Sequence, residues 1–107
     1  MVHTVVVHLY TQPGKESEMK KVLITASQTY SKDKGTLAWF VMQNEKDSTA
    51  WCIVERYENK DDVKTHAANP FFKTFPKLVG PLLDPKRPTQ ILRHNELDAD
   101  ADVRAKL

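Results

Sequence analysis

The 107-residue chain has one cysteine, three glycines and no apolar run that approaches a membrane span. Lone Cys52 excludes an internal disulfide and fits a reducing compartment, so the cytosol is the expected location. A span needs about 18–20 consecutive apolar residues. The start MVHTVVVHLYTQPG also lacks the basic opening and small-residue cleavage site of a signal peptide. Charge of one sign is missing too: 16 bases against 14 acids leave +2. That balance argues against a nucleic-acid partner, because phosphate contacts need a clustered basic face. No Cys-x-x-Cys pair, zinc-protease helix, glycine-rich nucleotide loop or serine-nucleophile elbow occurs. His3 and His8 fall on the first predicted strand, His66 on the second helix and His94 on the last strand, without metal-ligand spacing, so no metal is expected. What the chain does have is 40% hydrophobic and 28% charged residues, which is the composition of one small folded domain.

Val2 to Tyr10 is rich in β-branched and aromatic residues and stops at Gln12-Pro13-Gly14, which predicts a strand. From Lys15 the period changes. Met19, Val22, Leu23, Ala26 and Tyr30 share one helical face, with Glu16 and Glu18 at the start, Lys32 and Lys34 near the end, and Gly35 as a stop. Thr36–Gln43 and Ala50–Glu58 read as a hairpin around the polar loop 44–49. Asn59-Lys60-Asp61-Asp62 opens a second helix carrying Val63, His66 and Ala67. Asn69-Pro70 interrupts it. Phe71, Phe75, Leu78, Val79 and Leu82 continue at helical spacing, with a break expected at Pro76. Thr89–His94 is the predicted last strand. The expected organisation is a domain over residues 1–94 and a peripheral tail over 95–107.

The order is that of a ferredoxin-like α+β fold, βαββαβ, with a four-stranded antiparallel sheet and helices on one side. Such a sheet should alternate apolar-in with polar-out, yet here both faces are apolar. The first strand sets Val5, Val7 and Leu9 against Val6 and Tyr10. Pairing Met42 with Trp51 gives one face Ala38, Phe40, Met42, Trp51, Ile53, Glu55 and Tyr57. The other then takes Trp39, Val41, Cys52, Val54 and Arg56, and a slip of one residue exchanges the sets. One helix layer cannot cover both faces, so a homodimer packed sheet to sheet is expected.

One stretch is more specific. Pro13-Gly14-Lys15 closes the first strand, Glu55-Arg56-Tyr57-Glu58 closes the third, and helical His66 is followed by Asn69-Pro70-Phe71-Phe72-Lys73-Thr74-Phe75. Over residues 2–94 this pattern resembles the antibiotic biosynthesis monooxygenase (ABM) family of dimeric α/β barrels. The family includes cofactor-independent oxygenases of phenols and quinols, haem-degrading enzymes, an isomerase, and barrels without known activity. Haem degraders use a first-strand asparagine, a second-helix tryptophan and a later haem-ligating histidine. Aligned on Gly14 and Tyr57, those places hold Val7, His66 and Pro76. Proline cannot ligate iron, so haem degradation is rejected. The same alignment implies that His66, Tyr57 and Glu55 face the family's pocket.

The remaining oxygenase chemistry needs a water-poor pocket, a base near neutrality and donors for a substrate anion. His66 is the residue in this set whose ordinary pKa suits a base. Tyr57 is the candidate donor, and Glu55 orients or charge-balances the imidazole. Phe40, Met42, Trp51, Phe71, Phe72 and Phe75 are candidate pocket walls for a small aromatic or conjugated ligand, and serve equally as core. The scheme requires no flavin, haem or metal. A non-catalytic ligand-binding or stress-associated barrel, or an isomerase or detoxification enzyme of the same fold, is the alternative.

Overall fold

Every second residue of strand β1 (His3–Tyr10) is buried, so His3, Val5, Val7 and Leu9 point one way and Thr4, Val6, His8 and Tyr10 the other. The computed structural model describes residues 1–97, and the rest of the expected tail lies outside the described residues. The chain continues through α1 (Glu16–Tyr30), β2 (Thr36–Gln43), β3 (Ala50–Tyr57), α2 (Asp62–Ala68) and α3 (Phe71–Val79). A 3₁₀ turn (Gly80–Leu82) and β4 (Gln90–Asn95) complete it. The strands form one sheet in the order β2-β3-β1-β4, with every pair antiparallel. This is the expected ferredoxin-like α+β fold.

Met19, Leu23, Ala26 and Tyr30 of α1 are buried against Val5, Val7, Leu9 and Ile53 of the sheet, as their spacing requires. The helix ends at Tyr30, so Lys32 and Lys34 lie beyond its last turn and Gly35 is not its stop. Gly35 instead turns the chain into β2 at φ +83°, and its carbonyl accepts the Glu58 N–H at 2.8 Å. A Cβ at this position would overlap the Asp62 carboxyl group. Between α2 and α3, Asn69 is extended at ψ 129°, which is the geometry a following proline imposes. The break expected at Pro76 does not occur, because α3 runs through it. The bond lost is the one the Phe72 carbonyl would accept, and that turn faces solvent, where water can replace it.

The hairpin adopts the slipped register: Gln43 pairs with Trp51, Met42 with Cys52, Val41 with Ile53 and Trp39 with Glu55. The loop fixes this. Asn44 N–H donates to the Ala50 carbonyl, and the Asn44 side chain accepts the N–H groups of Lys46 and Asp47. Trp39 and Val41 therefore join Trp51, Ile53, Glu55 and Tyr57 on the helix side, and Phe40 and Met42 move to the outer face. Burial agrees, with Trp39 3% exposed and Phe40 58%. Asn95 and Glu96, placed in the tail by sequence, belong to the sheet edge. Asn95 pairs with His3, and Glu96 accepts Arg56 Nε and Nη2 at 2.7 and 3.0 Å and the Thr4 hydroxyl.

Candidate active site

His66 sits near the end of α2 and is 7% exposed. Asn59 sets the approach, because its side chain accepts the Asp61 N–H just before α2. The imidazole stands edge-on to Tyr30, with centroids 4.1 Å apart, and Phe72 meets it on another side at 5.3 Å. Each ring nitrogen faces a carboxylate. Nδ1 is 3.7 Å from Asp33 Oδ2, and Nε2 is 3.7 Å from Glu55 Oε1. Both separations exceed a hydrogen bond.

Each carboxylate is anchored from behind. Glu55 and Tyr57 lie two residues apart on β3 and so share a face. Tyr57, fully buried, donates its hydroxyl to Glu55 Oε1 at 2.6 Å. Asp33, in the turn after α1, accepts Asn69 Nδ2 on Oδ1 at 2.7 Å, and Asn69 Oδ1 accepts the Phe71 N–H at 2.9 Å. Trp39 lies across the strand pair from Glu55. Its indole N–H favours the carboxylate by proximity but is short of hydrogen-bond geometry.

Burial dominates the electrostatics. It pushes the Glu55 carboxyl up, against the lowering influence of the Tyr57 hydroxyl, the Trp39 N–H and the Arg93 charge. It pushes His66 down, with Asp33 opposing, so the imidazole is neutral at neutral pH. Tyr30 is pushed up to about 12 by burial and then by the charges of Glu55 and Asp33. Tyr57 is also raised, by burial and then by Glu55, so both phenols keep their protons.

A cavity of about 470 Å³ opens beside this group. Val7, Leu9 and Ile53 of the sheet form its floor, Phe75, Pro76 and Val79 of α3 its roof, and Trp39 and Tyr30 its inner end. His66 and Glu55 supply the polar wall, and exposed Phe72, Thr89 and Ile91 mark the mouth. The size suits a small organic ligand.

Of the sequence-predicted residues, His66, Glu55, Phe72 and Phe75 reach this cavity, and Tyr57 stands behind Glu55. Phe71 packs on Tyr30 at 5.5 Å, outside the lining. Phe40 and Met42 are not pocket walls, since the register turns them to the outer face. Trp51 is core rather than wall. Its Nε1 donates to Thr11 Oγ1 at 3.2 Å, two ladder steps from Glu55. Met42 and Trp51 border smaller depressions of about 220 and 120 Å³, whose linings do not include His66. Sequence reasoning missed Asp33, Asn69, Tyr30 and Trp39 as site residues. Tyr30 was legible as buried, and Trp39 needed only the other register. Asp33 is a loop residue without periodicity and gave no signal. Among the described residues no group of three His, Cys, Asp or Glu side chains is placed to hold a metal.

The fold is shared with solved structures. One is a proposed antibiotic biosynthesis monooxygenase of Nitrosomonas europaea, 16% identical, covering 89% of this chain and 98% of its own, with a TM-score of 0.82. A Mycobacterium tuberculosis protein is 19% identical over 94% of this chain and 100% of its own, also at 0.82. A Caulobacter crescentus protein proposed to be such a monooxygenase is 23% identical over 90% of each chain, at 0.79. No curated protein sequence matches. The family model for antibiotic biosynthesis monooxygenases matches residues 2–78, a span that holds both the sheet-borne Glu55 and Tyr57 and the helical His66. The chain belongs to the antibiotic biosynthesis monooxygenase family.

Proposed function

We propose that the chain is a cofactor-independent monooxygenase of a small phenol- or quinol-like substrate, with the His66–Glu55 pair as its base. The observation that carries this reading is a buried, neutral imidazole between two carboxylates on the wall of an otherwise apolar cavity. Triplet dioxygen reacts slowly with closed-shell organics, so the substrate itself must supply an electron, and its anion does so far more readily. His66 takes the substrate proton, and the imidazolium that forms lies between Asp33 and Glu55. The anion passes one electron to dioxygen, the radical pair joins at carbon, and the resulting hydroperoxide loses water to leave a carbonyl. A ring methylene and dioxygen thus give a ketone and water, with no external reductant. Trp39, Phe72 and Phe75 supply aromatic surface for a flat substrate and exclude water from its anion.

Oxygen uptake by the purified protein with a panel of hydroquinones and polyphenols tests this. Turnover above buffer should fall roughly 10²- to 10⁴-fold in His66→Ala. Activity equal to wild type in that variant, or no turnover by either protein, sinks the mechanism. Tight binding without turnover would instead support the ligand-binding alternative.

The working unit in this proposal is a homodimer joined through the outer sheet face. Phe40, Val54, Val6 and Leu92 are cross-strand neighbours and make one apolar row over all four strands there. Phe40, Met42 and Leu92 are exposed in the single chain. A row of this kind needs a cover, and a second copy offers the same row in return.

A further inference from the structure

A second cleft, of about 450 Å³, lies on the helix side of the sheet between α2 and the β4 edge. Three cations border it: Arg93 on β4, Lys60 in the turn before α2, and Lys64 in the first turn of α2. The carboxylate in the lining is that of Asp61, 3.9 Å from Lys64 Nζ with both side chains almost fully in water, and the Arg93 charge also reaches Glu55 beyond the lining. Such a solvated pair contributes little and leaves the lysine free to turn. His3 closes the cleft and is 4% exposed. Its Nδ1 lies 3.5 Å from Asn95 Oδ1, while Nε2 is buried without a partner. Arg93 faces the helix layer in the ladder row of Val5 and Glu55, and no carboxylate among the described residues lies within ion-pair distance of it.

We infer that this cleft binds a small organic molecule through a multiply charged anionic group, a phosphate or a dicarboxylate. Like charges are drawn together here by the fold, and an anion between them removes their repulsion. Arg93 offers a planar fork that grips two oxygens at once, and the lysines supply point charges from the opposite wall. Val63 at the base of the cleft gives the ligand's carbon frame an apolar contact. Nothing in the aromatic cavity serves this role, since Arg93, Lys60 and Lys64 all lie outside its lining. The cleft is also on the opposite face from the apolar row of the outer sheet, so self-association through that row leaves it open.

Titration of the full chain, followed by amide and imidazole NMR resonances, tests the assignment with inorganic phosphate in one arm and succinate in the other. At least one probe should give saturable shifts at His3, Lys64 and Arg93, with a dissociation constant on the order of 1–10 mM. Arg93→Gln combined with Lys64→Gln should weaken it roughly tenfold, whereas Lys77→Gln on α3 should not. Both altered side chains are exposed, and an unchanged melting temperature checks that the variant is folded. Saturation by phosphate alone identifies a phosphate ligand, saturation by succinate alone a carboxylate ligand, and saturation by both a shared anion site. A response that stays linear to about 50 mM for both probes, or that is unchanged in the double variant, overturns the inference.

Discussion

Replacing Tyr57 by phenylalanine removes one oxygen and leaves the ring that fills the core. That oxygen donates to Glu55 Oε1 at 2.6 Å in a fully buried setting. When Glu55 is ionised the bond is charge-assisted and is worth about 1.5–3 kcal/mol, and when Glu55 is protonated about 0.5–1.5 kcal/mol. The pH dependence follows from the direction of the Glu55 shift. Burial raises its folded-state pKa above the ordinary 4.5. Between those two values the folded chain holds more protons than the unfolded one, so the Glu55 contribution to stability falls as pH rises through the folded-state value. The Tyr57 hydroxyl limits that rise, and its loss moves the folded-state pKa higher still. Tyr57→Phe should therefore cost about 1.5–3 kcal/mol once the pH exceeds the folded-state Glu55 value and about 0.5–1.5 kcal/mol near pH 4, where the carboxyl is protonated. Urea unfolding of both chains at matched concentration reads the difference, because a self-associating protein gains stability with concentration. His66 titrates in both chains and largely cancels. A cost that does not increase as pH rises from 4 would refute the claim that Tyr57 stabilises a buried Glu55 carboxylate.

Three further perturbations separate the remaining parts. Asp33→Asn removes the charge that holds the His66 pKa up against burial, so the imidazole NMR titration midpoint should drop below that of wild type. A midpoint at or above wild type would show that Asp33 does not act on the ring. Gly35→Ala must hold φ near +83° and displace the Asp62 carboxyl group, at a cost of about 1–3 kcal/mol in denaturant unfolding. A change under about 0.5 kcal/mol would contradict that geometry. Phe40→Asp should shift sedimentation toward a single chain without loss of helix signal, since Phe40 is 58% exposed there. An unchanged sedimentation coefficient would remove the outer row from the interface.

The sequence was readable where one interaction dominated. The α1 stripe of Met19, Leu23, Ala26 and Tyr30 has one period and one side to bury it on, so helix and core followed together. Asn69-Pro70 announced a break because proline acts on the backbone without tertiary help. The hairpin was not readable in this way. Trp39 and Phe40 are both large and apolar, as are Val41 and Met42, so hydrophobic patterning was nearly degenerate between the two registers. Hydrogen bonds of Asn44 and Asp47 inside the 44–49 loop decided it, and they carry no periodic signal. The error propagated directly: one residue of slip put Phe40 and Met42 in the pocket and Trp39 outside it. Pro76 failed for the opposite reason, since its local cost is small where the affected carbonyl can reach water.

The interruption that ends α2 also explains how Asp33 comes to face His66. An extended Asn69 releases its side chain from helical bonding, and that side chain ties Asp33 Oδ1 to the start of α3. Asp33 is thereby held with Oδ2 toward His66 Nδ1, close enough to feel the ring but too far to bond it. Both atoms are left buried without partners, as is Trp39 Nε1 beside Glu55. Each such atom costs about 1–3 kcal/mol. A proton arriving on His66 gives both ring nitrogens donors to offer, and each already faces a carboxylate oxygen at 3.7 Å. The charge of Asp33 therefore opposes the burial penalty on the protonated ring. Burial nonetheless outweighs it, so the His66 pKa lies below its ordinary value and the resting imidazole is neutral.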